Sequence, residues 1–263
     1  MERDRKRKLW KITAAVSAGI LVILAAVLLI RKYMPTGQKM SGYDYFKTDS
    51  AAENDSTLVI LDNEILYDKG RYIDGRLYLQ QSFVQDNVNM RFYYDKESNA
   101  VLYSDWSAVY TYYPDVKGYR DQNGNTYDTE YEVIKMADGV IYIDFEYMAA
   151  VSNISYEYAK EPQRLVLHTT HEEQNEVTIR KNTVVRYRAG IKSKVLEKVK
   201  KGTVCQYVGA VDDDWIEVIT PSGYQGYVKK NAASDVYTAV QTRNQNSMRR
   251  CDNMNTNDLN TAL

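Results

Sequence analysis

The chain has few of the residues that build metal centres and nucleophilic sites, with only two cysteines and two histidines among 263 residues. Neither Cys205 nor Cys251 has a histidine at a recognisable spacing, and two cysteines make no disulfide framework, so we expect two free thiols. His168 and His171 could ligate a metal, but no third ligand stands out. A glycine-rich phosphate loop is also missing. We therefore expect no catalytic residue, no metal and no cofactor.

The chain has no excess of charge of either sign, since its formal net charge is −1 at pH 7. A balanced charge gives no field that favours nucleic acid, and we predict no such partner. Phenylalanine is scarce, with 4 residues, whereas tyrosine numbers 24. Tyrosine favours strands and keeps a polar hydroxyl for a wet face, which indicates a β-rich fold.

One stretch, from Ile12 to Ile30, carries neither charge nor proline. As a helix with a rise of about 1.5 Å per residue it would span roughly 28 Å, which is about one hydrocarbon core. We predict a transmembrane anchor over residues 9–32. A cleaved secretory signal is the alternative, but its apolar region is usually shorter, and no small-x-small cleavage site closes this run.

The basic residues around this run predict its orientation. Residues 1–8 and Lys11 form a dense basic cluster, whereas only Arg31 and Lys32 follow the run. The positive-inside rule therefore places the N-terminus in the cytoplasm and the bulk of the chain outside it, in a single-pass protein of the cell membrane. Residues 33–57 are small and polar without a sustained period, which is typical of a flexible linker.

An internal repeat follows, within a predicted domain of residues 58–172. Residues 74–105 align with residues 138–169 without a gap. Each repeat unit has an Asp-Gly turn, an alternating strand, two apolar helix positions, a second strand, a Lys-Glu turn and a third strand. Neither unit is long enough to bury its own core well, so we expect the two to pack together.

This order of elements resembles the N-terminal-like domain of copper amine oxidases, also called a stalk domain. The resemblance implies a strand and short-helix module that stands upstream of other modules in bacterial surface proteins. It does not imply copper or amine oxidation, because the chain has no place for a three-histidine copper site. The sequence departs from the family after the first strand, where residues 80–82 and 144–146 replace the usual proline and arginine.

Short strands with tight turns continue over residues 175–233, where we predict five strands in a small barrel. The spacing of several residues resembles a bacterial SH3 (SH3b) domain: Arg188, Lys200-Lys201-Gly202-Thr203, Trp215, Val218 and Gly226-Tyr227-Val228. The resemblance implies a binding module for cell-wall peptide or a neighbouring domain, and not a catalyst. Four aromatic residues could line a ligand groove: Tyr187, Trp215, Tyr224 and Tyr227. Alternatively, Trp215 and Tyr227 are core residues of the barrel.

Residues 234–263 are rich in asparagine and poor in apolar residues, so we expect a disordered tail. In proteins resembling this one, the two modules often precede a family-18 glycoside hydrolase barrel of roughly 250 residues. Asp144 and Glu146 superficially resemble the acidic strand of those hydrolases, but Ile141 and Ile143 occupy its intermediate carboxylate positions. We interpret both carboxylates as helix-start residues near the helix dipole.

The sequence predicts a mainly β (α+β) chain with one N-terminal transmembrane helix, a two-repeat strand and short-helix stalk domain, and a small SH3-like β-barrel. We expect a non-catalytic, membrane-anchored extracytoplasmic module that binds peptidoglycan or an envelope partner. The alternative is a truncated member of a family-18 glycoside hydrolase lineage that lacks its catalytic barrel.

Overall fold

The computed structural model describes residues 2–48, 56–152, 154–169 and 173–240. Helix α1 (Glu2–Tyr33) contains the apolar run, and no residue of its segment Val16–Tyr33 is buried by the rest of the chain. It is the one helix in these described ranges that is long and apolar enough to cross a membrane. An anchor and a signal sequence both have these properties.

The rest of the described chain is mainly β with a few short helices, as the sequence predicts. The helices are α2 (Gly42–Phe46), α3 (Gln81–Asn87) and α4 (Phe145–Ser152). The strands before the barrel are β1 (Ser56–Leu61), β2 (Glu64–Ile73), β3 (Arg76–Gln80), β4 (Phe92–Asp95), β5 (Ala100–Ser104), β6 (Val109–Tyr112), β7 (Tyr119–Asp121), β8 (Thr126–Tyr127), β9 (Ile134–Ala137), β10 (Val140–Asp144), β11 (Ser155–Ala159) and β12 (Arg164–His168). The barrel strands are β13 (Glu173–Thr178), β14 (Thr183–Arg186), β15 (Val195–Val199), β16 (Val204–Ala210), β17 (Trp215–Ile219), β18 (Gln225–Lys229) and β19 (Tyr237–Val240).

These strands form three sheets. The repeat domain contains a seven-stranded sheet in the order β11-β12-β1-β2-β3-β10-β9 and a five-stranded sheet in the order β4-β5-β6-β7-β8. The barrel is a seven-stranded sheet in the order β15-β14-β18-β17-β16-β13-β19. Strand β1 pairs in parallel with β12, so the first and last strands of the repeat domain are neighbours in the sheet.

The structure contains the element order that the internal repeat predicts. The first repeat unit runs β3, α3, β4 and β5, and the second runs β10, α4, β11 and β12. Both Asp-Gly pairs have positive φ at both residues, with 51° and 79° at Asp74 and Gly75 and 52° and 75° at Asp138 and Gly139. Two consecutive positive φ values are characteristic of the type I′ turns that join antiparallel strands.

The two repeat units share one hydrophobic core. Strands β3 and β10, one from each unit, pair in antiparallel fashion within the seven-stranded sheet. The first unit contributes Leu79, Phe83, Val84 and Phe92 to the core. The second unit contributes Ile143, Phe145, Met148 and Leu165. Because these side chains come from both units, neither unit could bury its apolar surface alone.

The carboxylate of Asp144 lies at the start of α4, as the helix-start interpretation predicts. It is fully buried, accepts a hydrogen bond of 2.9 Å from the backbone N–H of Tyr147, and pairs with Arg76 at 2.7 Å. Glu146 is more exposed and pairs with the same guanidinium at 3.2 Å. Both carboxylates are therefore engaged in holding β3 against the start of α4.

We expect Asp144→Asn to lower the free energy of unfolding by about 1–2 kcal/mol. The amide can still cap the helix, but the charge-assisted pair with Arg76 is lost, and the guanidinium keeps the exposed carboxylate of Glu146 and the ring of Tyr131. Urea unfolding of the detergent-solubilised chain measures this change. The matched control is Glu146→Gln, for which we expect less than about 0.5 kcal/mol because the pair is solvent-exposed. Equal effects of the two substitutions would contradict this role of Asp144.

A flexible linker was predicted over residues 33–57, but residues 34–48 pack against the rest of the chain. We call residues 34–48 the docked segment. The N–H of Met40 donates to the carbonyl oxygen of Val195 at 2.8 Å, and the N–H of Val195 donates to Gln38 at 2.8 Å, so the segment extends the barrel sheet beside β15. Helix α2 follows, and its Phe46 is fully buried. Residues 49–55 lie outside the described residues. The segment is held in place by these backbone hydrogen bonds and by the burial of Phe46.

Part of the tail that was predicted to be disordered over residues 234–263 is a strand. Strand β19 pairs with β13, with Tyr237 opposite Glu176 and Val240 opposite Glu173. The prediction is therefore wrong for residues 237–240, which complete the edge of the barrel sheet. Residues 241–263, including Cys251, lie outside the described residues.

Candidate ligand-binding site

The four aromatic residues proposed for a barrel groove do not share one open surface. Tyr224 and Trp215 are 6% and 7% exposed, Tyr227 is half-buried, and only Tyr187 is 43% exposed. Burial of Trp215 agrees with the core interpretation. Ligand binding by these four residues stays a prediction.

The docked segment covers one side of the predicted groove. The ring of Tyr45 packs between Tyr224 and Tyr187, with centroid distances of 5.0 and 6.4 Å. Its hydroxyl donates to the carbonyl oxygen of Gln225 and accepts from the N–H of the same residue, each at 2.9 Å. The aromatic face of the barrel is thus partly occupied by the chain itself, which the sequence did not indicate.

The barrel and the repeat domain meet in a shared apolar junction. Phe46 lies in one cluster with Ile60 of β1, Val166 of β12 and Tyr224 of the barrel. The backbone of the barrel approaches β1 closely at Gly223, where a Cβ atom would lie 2.5 Å from the Cδ1 atom of Ile60. Only glycine fits there, since its φ of +84° is also one that other residues rarely adopt.

Arg164 holds this junction together from β12. Its side chain is buried and donates to the carbonyl oxygens of Ser222 at 2.6 Å and Pro162 at 3.2 Å. The guanidinium carbon lies 4.8 Å from the ring centroid of Phe46 and 4.7 Å from that of Tyr224. Burial lowers the pKa of Arg164. One side chain therefore links the repeat domain, the docked segment and the barrel.

A crevice of about 450 Å³ lies beside this junction, between β11 of the repeat domain and strands β13 and β16 of the barrel. Asn63 and Gln206 span the two domains at the crevice, where the side-chain amide of Asn63 donates to that of Gln206 at 2.9 Å. A smaller cavity of about 240 Å³ lies within the repeat domain, beside Arg76, Asp144 and Glu146. Both cavities are lined by side chains that are far apart in the sequence.

His168 lines the crevice, and its Nδ1 atom is buried without a hydrogen-bond partner among the described residues. His171, the second histidine of the possible metal pair, lies outside the described residues. Within the described part of the chain, no group of three metal-ligating side chains is close enough to hold a metal ion. The structure thus places His168 at a crevice between two domains.

His168 makes the stability of the chain depend on pH. Burial lowers the pKa of its imidazole, and the nearby carboxylate of Asp62 opposes this only in part. As the pH falls, His168 is therefore protonated at a higher pH in the unfolded chain than in the folded chain. The free energy of unfolding consequently decreases as the pH drops below about 6.5. We expect the wild type to lose more stability than His168→Gln between about pH 7.5 and pH 5.5 in urea unfolding. Equal losses in both proteins would contradict this assignment.

Cys205 is a buried free thiol, as predicted for it from the sequence. Burial raises its pKa to about 12, so the thiol stays protonated at neutral pH. A protonated, buried thiol is a poor nucleophile. Cys205 is therefore a core residue of the barrel, on β16 opposite Val177 of β13.

Comparison with known proteins identifies one region of the chain. No curated protein and no solved structure matches the chain. The stalk resemblance and the hydrolase lineage therefore stay predictions. Residues 180–235 match the family model of the bacterial SH3 domain. This match covers β14 to β18, including the turn at Gly223 that contacts the repeat domain. The chain carries a bacterial SH3 domain in this region.

Proposed function

We propose that the chain is a non-catalytic module, held outside the cytoplasm by a membrane anchor, that binds the cell wall. The observation that carries this proposal is the bacterial SH3 domain at residues 180–235, because such domains commonly bind peptidoglycan. A partner protein of the cell envelope is the alternative ligand.

The surface of α1 supports the anchor. Large apolar side chains along it are exposed, among them Leu21, Val22 and Leu28 at 67%, 69% and 65%. Apolar side chains all round a long helix favour a lipid environment. The basic residues before the apolar run favour a cytoplasmic N-terminus.

The docked segment supports a position of the barrel close to the membrane. The chain leaves α1 at Tyr33, and by Thr36 its N–H already donates to the carbonyl oxygen of Ile191 in the barrel at 2.9 Å. Lys192 also donates to the carbonyl oxygens of Arg31 and Met34. With so few residues between helix and barrel, the wall ligand would have to lie near the membrane surface.

Co-sedimentation with purified sacculi tests wall binding by the full chain in detergent. We expect the wild type to sediment with sacculi and Gly226→Val to lose this property. A Cβ atom at Gly226 would lie 2.6 Å from the carbonyl oxygen of Arg186, so the substitution disrupts the barrel. Trp106→Ala is the matched control, because Trp106 is 94% exposed on the repeat domain. Sedimentation of all three to the same extent, or of none, would contradict the proposal.

Protease treatment of intact cells tests the orientation. We expect the repeat domain and barrel to be degraded while a fragment containing α1 survives in the membrane. Full protection in intact cells, with cleavage only after lysis, would contradict an extracytoplasmic location.

A further inference from the structure

The loop that joins β14 to β15, residues 187–194, packs against the C-terminal end of α1. The ammonium group of Lys192 donates to carbonyl oxygens at that end of the helix. The buried side chain of Arg186 donates to the carbonyl oxygens of Thr36 at 3.1 Å and Ser193 at 2.7 Å. The loop and the start of the docked segment therefore form one surface at the point where the chain leaves the apolar helix.

This surface carries only positive charge. Residues 31–40 and 186–195 contain no aspartate or glutamate, although the formal net charge of the whole chain is −1. We call its six exposed cationic side chains the basic surface: Arg31, Lys32, Lys39, Arg188, Lys192 and Lys194. In the described part of the chain, none of the six forms an ion pair with a carboxylate. Six like charges without a counter-charge favour an anionic partner.

The opposite end of the barrel has mixed charge. In the antiparallel order β14, β18 and β17, the loop after β14 lies at one end of the strands and the loop before β17 lies at the other. That second loop contains the exposed residues Asp212, Asp213 and Asp214. It lies beside Lys230, whose N–H donates to the carbonyl oxygen of Asp214 at 2.8 Å. The barrel therefore has its purely cationic end next to α1.

Exposed aromatic and apolar side chains lie beside the basic surface. Tyr33 and Met34 follow the apolar run of α1 and are exposed, and Tyr187 is exposed at the start of the loop. Tyrosine is enriched at the level of lipid headgroups, where its ring meets the acyl chains and its hydroxyl stays hydrated. Lysine and arginine extend their apolar stems along such a boundary and place their charge among the headgroups. This neighbourhood favours a lipid surface over a soluble polyanion.

We propose that the basic surface binds the phosphate groups of anionic lipids in the membrane that holds α1. The inference rests on the membrane anchor of the proposed function and goes beyond it, because the barrel gains an attachment to the membrane of its own. Each cation close to an anionic bilayer adds to the attraction. The barrel is thereby held in one orientation on the membrane instead of turning freely about the end of α1.

Reconstitution of the full chain into vesicles tests the inference. The vesicles contain phosphatidylcholine alone or with about one-third phosphatidylglycerol, and both kinds carry a lipid with a nitroxide quencher on its headgroup. A fluorophore is attached at Gly190→Cys, where a Cβ atom would meet open space. The labelled chain also carries Cys251→Ser, whereas Cys205 is buried and stays unlabelled.

We expect the fluorophore to be quenched at least about twofold more strongly in the anionic vesicles. The difference should disappear at about 1 M salt, where the Debye length is about 3 Å. Equal quenching in the two kinds of vesicle at low salt would overturn the inference. A response to soluble poly(glycerol phosphate) without a response to anionic vesicles would also overturn it, because the surface would then bind a free polyanion.

A pair of double variants tests the assigned residues. Arg188→Gln with Lys194→Gln should reduce quenching in anionic vesicles to the level of the neutral ones. The matched control is Lys200→Gln with Lys201→Gln, which removes two exposed charges at the other end of the hairpin of β14 and β15. There the N–H of Lys201 donates to the side chain of Asn182 at 2.9 Å. We expect this control to be quenched as the wild type is, and equal effects of the two double variants would contradict the inference.

Flotation of the same vesicles distinguishes the failure of the inference from the failure of the proposed function. A chain that floats with both kinds of vesicle but is quenched equally in them refutes only the inference. A chain that floats with neither kind has no membrane anchor, which refutes the proposed function and the inference together.

Discussion

Phe46→Ala should lower the free energy of unfolding by about 3–5 kcal/mol, although Phe46 lies outside both domains recognised in the sequence. Its ring is fully buried in a cluster with Leu58 and Ile60 of the repeat domain and Tyr224 of the barrel. Truncation removes these contacts and leaves a cavity at the junction, and α2 has no other fully buried side chain that could fill it.

Urea unfolding of the detergent-solubilised chain measures the effect of Phe46→Ala. Trp106→Ala is the matched control, since it removes a larger aromatic side chain that is 94% exposed, and we expect a change below about 0.5 kcal/mol. Similar small effects of the two substitutions would show that the docked segment contributes little to stability.

Arg164→Met should cost about 2–4 kcal/mol. Methionine retains an apolar stem but leaves the carbonyl oxygens of Ser222 and Pro162 without this donor in a buried site. The ring contacts with Phe46 and Tyr224 also lose their cation. Arg164→Lys should recover only part of the loss, because an ammonium group lacks the planar arrangement of donors.

The same unfolding measurement separates this role from a general effect of arginine. The matched control is Arg188→Met, because Arg188 is exposed. Its guanidinium carbon lies 5.7 Å from the ring centroid of the neighbouring Tyr187. We expect a change below about 0.5 kcal/mol there. A loss at Arg164 no larger than at Arg188 would contradict its linking role.

Local sequence patterns were sufficient to predict the two repeat units. Asp74-Gly75 and Asp138-Gly139 adopt the positive φ values that this residue pair favours, and the alternating strands follow directly. The spacing around Trp215 and Gly226 likewise predicted the SH3 barrel that the family match supports. Both predictions depend on residues close together in the chain, where turn preference and strand alternation determine the structure.

The junction could not be predicted in this way, because it depends on contacts between distant residues. Phe46 packs against Tyr224, and no local pattern in a polar stretch distinguishes a docked aromatic from an exposed one. The five strands predicted for the barrel correspond to β13, β14, β16, β17 and β18 and do not include β15, because its charged residues Glu197 and Lys198 obscure the alternation. Strand β19 was missed because its neighbours are polar. In each case tertiary pairing overrides weak local preference.

The candidate site was only partly predictable for the same reason. The aromatic residues of the barrel suggested a groove, but the sequence could not indicate that Tyr45 covers Tyr224. His168 was identified as a notable residue, yet its position opposite the barrel strands depends on how two domains dock. A crevice built from two domains has no signature in either one alone.

The central claim is that the docked segment, the repeat domain and the barrel form one cooperative body that presents the crevice. Pulsed hydrogen–deuterium exchange of the detergent-solubilised chain across a urea series tests it directly. We predict that amides of β1, β12 and β17 become exchangeable at the same urea concentration in the wild type, and at different concentrations in Phe46→Ala. Separate transitions of the barrel and repeat domain in the wild type would contradict the claim.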